Sequence, residues 1–200
     1  DIAILYKLGI TVIIVHGGGP RIKMELAKLN IESPFINGLR VTDKQTMGVV
    51  EKSLVNFNSE IIEKLKKKEC KADGLNVSQN NIFIVEQENK DLGFVGRPKK
   101  ILNEKIQKIL DQQQIPVISP MGKDEGGEKY NINADTAAAA IAKSLKSRRL
   151  LLMTDVPGVY DENKKLINEI KPLEAKDLID KKIVEGGMIP KLLNSIDAIE

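Results

Sequence analysis

The chain has 200 residues, 42% of them hydrophobic, and a net charge of +3 from 31 basic and 28 acidic side chains. Because the charges nearly balance, they create no strong field for nucleic acid or for a membrane surface. Aromatic residues are 4% of the chain and Trp is absent, which argues against a base-stacking surface. The single cysteine, Cys70, excludes an internal disulfide and is typical of a reducing compartment. No apolar run is long enough to span a membrane.

The first strong pattern predicts a strand, a glycine loop and a helix. Residues 11–15 are β-branched and almost wholly apolar, as in a strand buried on both faces of a parallel sheet. His16 and the glycines 17–19 follow, and Pro20 stands where a helix over 21–29 can begin. Glycine N–H groups and the positive end of a helix can point together at an anion. The unit predicts a phosphate or carboxylate site, with a plain tight turn as the alternative.

Further along the chain, predicted strands alternate with predicted helices. An Asn-Gly pair at 37–38 predicts a turn within an extended piece, and a polar turn at 78–80 is expected to join two strands. The alternation predicts an α/β fold, a three-layer αβα sandwich with a mainly parallel open sheet. Extended pieces are predicted at 35–41, 72–77, 81–86, 92–96, 115–119, 129–132 and 150–153, and helices at 42–68, 103–113, 134–145, 172–180 and beyond 191.

Both ends of the chain have the pattern of incomplete helices. Residues 1–9 resemble the last turns of a helix that stops at a glycine, and 194–200 resemble a helix cut part-way. We therefore expect the sequence to be a piece of a longer protein.

Five stretches are candidates for chemistry, and all lie after predicted strands or at helix starts, where open α/β sheets bind ligands. The glycine loop is the first. Arg40, in a short extended segment, could hold a carboxylate through two hydrogen bonds, or be a surface arginine with an incidental ion pair. Asn131 and Asn133 would share one side of an extended segment, and Asp135 enters the first turn of the next helix. Plain helix capping by Asn133 is the alternative.

The two remaining stretches lie in the last quarter of the chain. Residues 155–160 follow a predicted strand, and an ordinary Pro-Gly turn is the alternative to a binding role. Two glycines at 186–187 precede a helix that carries Lys191, a second candidate anion site, although a solvated lysine is the default. His16 is the only histidine, so a zinc site is not expected, and a structural role is favoured over acid/base chemistry.

Together these stretches resemble the N-acetyl-L-glutamate kinases of arginine biosynthesis, in the amino acid kinase family. The runs GLRVTD at 38–43 and NINAD at 131–135 are the narrowest of the matches. The matching runs are VIIVHGGGP at 12–20, NGLRVTD at 37–43, LGFVG at 92–96, YNINADTAA at 130–138, LMTDVPGV at 152–159 and GGMIPK at 186–191. The resemblance implies the amino acid kinase fold and phosphoryl transfer from ATP to the side-chain carboxylate of N-acetyl-L-glutamate, giving an acyl phosphate.

The resemblance also implies how the acyl amino acid is bound. Gly18 and Gly19 would present backbone N–H groups to the transferred phosphoryl group and the attacking carboxylate. Arg40 would hold the α-carboxylate of the substrate. Asn131, with Asn133 beside it, would bind its other polar atoms.

For the phosphoryl donor, the resemblance implies that Lys191 neutralises charge on the leaving ADP and that Asp135 orients lysines. Residues 1–146 would be an N-terminal lobe with the acyl-amino-acid and phosphoryl-transfer loops, and 147–200 the start of an ATP-binding lobe. Mg²⁺ would be held mainly by the ATP phosphates, with no protein metal site. The adenine nucleotide site would be lined by Asp155, Val156, Pro157, Gly158, Val159, Tyr160, Ile183, Val184 and Glu185.

Two other functions remain open at this point. A sibling amino acid kinase would act on another carboxylate, and a non-catalytic regulatory homologue would keep only the fold. The second has one support: the Lys-x-Gly-Gly strand that the family carries before the glycine loop is absent from the sequence. The resemblance further implies a homo-oligomer (a dimer, or a hexamer if arginine-regulated), binding of the PII signalling protein in some members, and location in the cytoplasm or plastid stroma.

Overall fold

A three-stranded parallel sheet lies at the centre of the computed structural model, which describes residues 1–199. The strands of the described chain are β1 (Ile14–Val15), β2 (Phe35–Ile36), β3 (Leu39–Arg40), β4 (Ala72–Leu75), β5 (Phe83–Gln87), β6 (Gly96–Ile101), β7 (Ile115–Ile118), β8 (Met121–Lys123) and β9 (Lys129–Asn131). The helices there are α1 (Ile2–Lys7), α2 (Gly19–Lys28), α3 (Lys44–Lys66), α4 (Asn103–Asp111), α5 (Ala134–Ser144), α6 (Pro172–Asp180) and α7 (Met188–Ile199).

The parallel sheet has the order β1-β7-β4, and its central strand β7 is buried along its whole length. Side chains alternate between the two faces of a strand, so β7 contributes side chains to two apolar clusters. Val117 packs in a cluster with Leu65 of α3, whereas Ile118 packs in one with Ile106 of α4 and Ala137 of α5. The sheet therefore lies between α3 on one face and α4 and α5 on the other. This arrangement confirms the α/β class and the three layers.

A second sheet of four strands has the order β6-β5-β8-β9. Its pairings are antiparallel except for β5 with β8, so the parallel part of the fold is the central sheet. The strands predicted at 72–77 and 81–86 do form, but they enter different sheets. The sequence prediction omitted β8 and most of β6. The β6 strand contains Pro98 and three basic residues, which have low strand propensity, so the sequence pattern did not indicate a strand here. Proline is tolerated because β6 is an edge strand.

Two predicted buried strands are wrong in detail. Within residues 11–15 only Ile14 and Val15 pair in a sheet, and their side chains are half-buried because β7 is the one described strand beside them. Residues 150–153 form no strand, and Leu151 and Met153 are 71% and 85% exposed. An apolar run becomes a buried strand only when neighbouring strands pair with it, and none of the described strands pairs with this run.

The helices follow their sequence signals closely. Pro20 lies in the first turn of α2, Asp43 caps α3 by accepting a hydrogen bond from the Thr46 N–H, and α6 has the predicted bounds. No helix among residues 1–199 is long and apolar enough to cross a membrane. A separate apolar cluster joins α6 and α7. The division of the chain into lobes at residue 146 stays a prediction.

Candidate functional site

A cavity of about 160 Å³ opens where β1 and β7 end, at the carboxyl edge of the parallel sheet. It lies among the glycine loop, the β2–β3 hairpin and the start of α5. The side chains and backbone that line it include Gly17, Gly18, Gly19, Arg40, Leu54, Asn131 and Asn133. All five residues that the sequence predicted to bind substrate therefore meet in one cavity. They come from three separate stretches of the chain.

The glycine loop provides backbone donors at one wall of this cavity. The His16 N–H donates to the Ile118 carbonyl, which continues the β1–β7 pairing up to the loop. Neither the Gly17 nor the Gly18 N–H donates to any atom of residues 1–199. Gly18 is the N-cap of α2, so these N–H groups lie at the positive end of a helix. The predicted anion site has the required donors.

A side chain at position 18 would force its surroundings to move. A Cβ built there would lie 2.7 Å from Cδ2 of Leu54, a buried side chain of α3. A Cβ at Gly19 would meet nothing within 4 Å. α3 therefore packs closely against the glycine loop at Gly18.

Arg40 is a buried cation that also lines the cavity. It is 8% exposed, and its guanidinium carbon lies 4.5 Å from the centroid of the Phe35 ring, in a cation–π contact. Its other contacts are long, 3.5 Å from Nη1 to Ser33 Oγ and 3.4 Å from Nη2 to the Gly19 carbonyl. No carboxylate within residues 1–199 pairs with it, and burial lowers the pKa of Arg40. The alternative of a surface arginine with an incidental ion pair is therefore wrong.

Asn131 and Asn133 line the cavity from β9 and the start of α5. The Asn131 backbone N–H donates to the Phe94 carbonyl, and its side chain makes no hydrogen bond within residues 1–199. Asn133 caps α5, because its Oδ1 accepts from the N–H groups of Asp135 at 2.9 Å and Thr136 at 3.1 Å. The capping interpretation of Asn133 is thus correct. Its side-chain amino group makes no hydrogen bond within the described part of the chain.

Lys191 and Asp135 form an ion pair beside the cavity. Lys191 Nζ lies 2.9 Å and 3.1 Å from the two carboxylate oxygens of Asp135, and the side chains are only 22% and 19% exposed. Asp135 directly follows Ala134, which lines the cavity. The default interpretation of Lys191 as a solvated surface lysine is therefore wrong, and α7 brings it to the start of α5.

None of the predicted nucleotide residues is among those that line the cavity. Val159 and Val184 belong to one apolar cluster with α6 and α7, so the two segments do meet. The Val184 side chain is buried in that cluster, so only its backbone could face a nucleotide. Tyr160 forms a β-bridge with Leu166. The roles of Asp155, Val156, Pro157, Gly158, Val159, Tyr160, Ile183, Val184 and Glu185 stay predictions.

Sequence reasoning missed Asn58, a buried residue of α3 behind the glycine loop. Its amide nitrogen lies 3.1 Å from His16 Nε2 and 2.9 Å from the Val117 carbonyl. Burial lowers the pKa of His16, which favours the neutral ring and agrees with the predicted structural role. The available signal was a lone amide at helical spacing from Leu54, Ile61 and Leu65 on an apolar face.

Residues 1–200 match the family model described as "Amino acid kinase family". An acetylglutamate kinase of Pelagibacter ubique is 52% identical over 197 residues, 98% of this chain and 68% of the relative. An acetylglutamate kinase of Caldicellulosiruptor saccharolyticus is 44% identical, over 100% of this chain and 72% of the relative. The crystal structure of smu.665 from Streptococcus mutans superposes with a TM-score of 0.93 and 32% identity, over 99% of this chain and 81% of that one.

Proposed function

The chain belongs to the amino acid kinase family, and on that premise we propose that it transfers a phosphoryl group from ATP to the side-chain carboxylate of N-acetyl-L-glutamate. The product is N-acetyl-L-glutamyl 5-phosphate, an acyl phosphate of arginine biosynthesis. The observation that carries the proposal is the cavity, where the buried Arg40, which has no carboxylate partner within residues 1–199, and the backbone N–H donors of the glycine loop line one space with two asparagines. Such a space suits a small molecule with two carboxylates and an amide.

This reaction asks little covalent chemistry of the protein. A carboxylate is already a nucleophile, so no general base has to remove a proton from it. The protein must instead bring two anions together and stabilise the charge on the moving phosphoryl group. Buried cations and fixed N–H groups do both, because they require little reorganisation as the charge moves.

In the proposed complex, Arg40 holds the α-carboxylate of N-acetyl-L-glutamate. Its planar guanidinium can donate two parallel hydrogen bonds, and its desolvation strengthens them. Asn131 and Asn133 bind the acetamide and the remaining polar atoms. The Gly18 and Gly19 N–H groups then face the side-chain carboxylate and the phosphoryl group that it attacks.

On the donor side, Lys191 neutralises charge on the leaving ADP, and Asp135 keeps that lysine in place. The adenine nucleotide lies along residues 155–160 and 183–185. Both oxygens of Asp135 already accept from Lys191, so the charge of this carboxylate is already balanced by a cation, which makes it a poor site for a metal ion. Mg²⁺, when bound, would neutralise phosphate charge, and we expect the ATP phosphates to hold it.

Assembly and location complete the proposal. We propose a homo-oligomer, a dimer or an arginine-regulated hexamer, with PII as a candidate regulatory partner. We place the protein in the cytoplasm or plastid stroma, which agrees with a buried free thiol at Cys70. Light scattering of the purified protein with and without arginine measures the oligomeric state.

The activity test is ATP-dependent acyl phosphate formation, trapped by hydroxylamine, with protein expressed from its complete reading frame. We expect hydroxamate with N-acetyl-L-glutamate and little with glutamate, aspartate or an N-acetylated aminoadipate. Preference for another acceptor would replace this proposal with a sibling kinase. A folded protein that binds N-acetyl-L-glutamate and ATP but makes no product with any acceptor would indicate the regulatory homologue.

A further inference from the structure

A chain of buried hydrogen bonds connects the centre of the fold to the glycine loop. Asn58 Nδ2 lies 2.9 Å from the Val117 carbonyl of β7 and 3.1 Å from Nε2 of His16. His16 Nδ1 lies 3.0 Å from the carbonyl oxygen of Gly17. Asn58 and His16 are both buried, so water does not compete for these contacts.

The partners of Asn58 indicate which ring nitrogen of His16 carries the proton. The Asn58 amide nitrogen carries two hydrogens, and the Val117 carbonyl accepts one of them, which fixes the orientation of the amide. The other hydrogen faces Nε2, so Nε2 is the acceptor and the ring proton resides on Nδ1. Nδ1–H therefore donates to the Gly17 carbonyl.

That last hydrogen bond orients the peptide between Gly17 and Gly18. The described chain has no cis peptide bonds, and in a trans peptide the C=O and the following N–H point in opposite directions. A Gly17 carbonyl held toward the His16 ring directs the Gly18 N–H away from it, to the side of the cavity that Gly18 lines. Glycines flank this peptide, so without the ring it could turn over and present an oxygen to an anion.

We propose that His16 and Asn58 are positioning residues that keep the Gly18 N–H directed toward the phosphoryl group during its transfer. This rests on the proposed function. Neither side chain lines the cavity, so neither contributes a direct substrate contact. Their loss should lower kcat and leave the KM of both substrates nearly unchanged, because the oriented N–H matters most when charge develops on the phosphoryl oxygens.

Two substitutions at His16 test its hydrogen bond to Asn58 and its hydrogen bond to Gly17 separately. His16→Asn keeps an amide donor near the position of Nδ1 and loses the acceptor for Asn58. His16→Gln keeps an acceptor near the position of Nε2 and loses the donor to Gly17. Both substitutions remove the ring that packs edge-on against Phe57, so each variant is a control for the packing change in the other.

We expect kcat of the His16→Asn variant to stay within about threefold of the wild type. We expect kcat of His16→Gln to fall by about 30-fold or more, toward the roughly 100-fold typical of a lost oxyanion donor, with unchanged KM. The acceptor used is whichever carboxylate the wild type phosphorylates. Equal losses in the two variants, or losses that track their melting temperatures, would show a merely structural role and overturn the proposal.

A second measurement does not depend on catalysis. Glycine-¹⁵N-labelled protein is titrated with inorganic phosphate, and the Gly18 amide resonance is followed by NMR. It should shift in the wild type and in His16→Asn, and fail to shift in His16→Gln. A Gly18 amide that is unaffected by phosphate in the wild type would overturn the positioning role. A shift without any kinase activity would leave that role intact and contradict the proposed function.

Discussion

At the scale of single residues, the candidate site contains a buried cation that has no carboxylate partner within residues 1–199. Arg40 is desolvated and stacked on Phe35, and it pairs with no carboxylate of the described chain. Burying a charge is costly unless something compensates it. Arg40 is therefore a buried cation without a carboxylate counter-charge among the described residues, as the proposed substrate-binding role requires.

Replacing Arg40 with alanine should raise the KM for N-acetyl-L-glutamate by about 10- to 100-fold, as for loss of a charge-assisted hydrogen bond. Steady-state kinetics measures this. Arg21→Ala is a matched control, because Arg21 also stacks on a phenylalanine, at 4.2 Å, but pairs with Glu60 outside the cavity. Its KM should change by less than about twofold, as for an exposed pair. An unchanged KM for Arg40→Ala would contradict the proposed contact between Arg40 and the α-carboxylate of the substrate.

At the scale of elements, the site depends on where helices begin. The starts of α2 and α5 both face the cavity, and Gly18 and Asn133 cap them. The start of α3 follows the β2–β3 hairpin that carries Arg40, and Asp43 caps it. Because the hairpin leads directly into α3, a well-defined α3 start anchors one wall of the cavity.

Asp43→Ala should lower the free energy of unfolding by about 1 kcal/mol at pH 7, the usual cost of a lost N-cap. Asp43→Asn keeps the acceptor without the charge and is the control. The Thr46 N–H holds the pKa of Asp43 below its ordinary value of 3.8.

A carboxyl whose pKa is depressed in the folded state stabilises above its unfolded pKa, and that contribution is lost as the pH falls through the folded pKa. Any stability advantage of the wild type over the Asp43→Asn variant in urea unfolding should therefore persist above about pH 4 and shrink below it. An advantage that stays constant down to about pH 2 would contradict the role of the charge, because the carboxyl of Asp43 gains a proton as the pH falls through its folded pKa.

At the scale of the whole molecule, two ion pairs join α5 to α7. The Lys191–Asp135 pair lies beside the cavity and is largely buried, whereas the Lys143–Asp197 pair has side chains that are 50% and 60% exposed. Only the first would both fasten α7 and present a charge to the site. The two pairs therefore allow stability and catalysis to be separated on the same helix–helix contact.

Asp135→Asn leaves the partly buried Lys191 without its counter-charge and should lower the free energy of unfolding by about 1–2 kcal/mol, less than for a fully buried pair. It should also reduce kcat by at least about 10-fold, since a displaced Lys191 no longer faces the leaving phosphate. Lys143→Ala should cost about 0.5 kcal/mol or less and leave kcat unchanged. Equal effects of the two substitutions on kcat would contradict a special role for the inner pair.

Local signals determined much of this molecule from the sequence. The glycines at 17–19 with Pro20 and the cap Asn133 each act on neighbouring backbone, so their patterns predicted helix starts correctly. The resemblance predicted one substrate site from five residues, and all five line the cavity: Gly18, Gly19, Arg40, Asn131 and Asn133. The nucleotide segments and the lobe boundary stay predictions.

The sequence by itself thus determined which stretches are helical and which of the predicted substrate-binding residues line the cavity, because these depend on nearby residues and on motif spacing. The tertiary structure decided that β4 and β5 enter different sheets, that 150–153 has no strand partner among residues 1–199, and that Asn58 reaches His16. Those outcomes depend on strand pairing and helix docking between segments tens of residues apart. No local pattern encodes such contacts, because their energy comes from the neighbour and not from the segment itself.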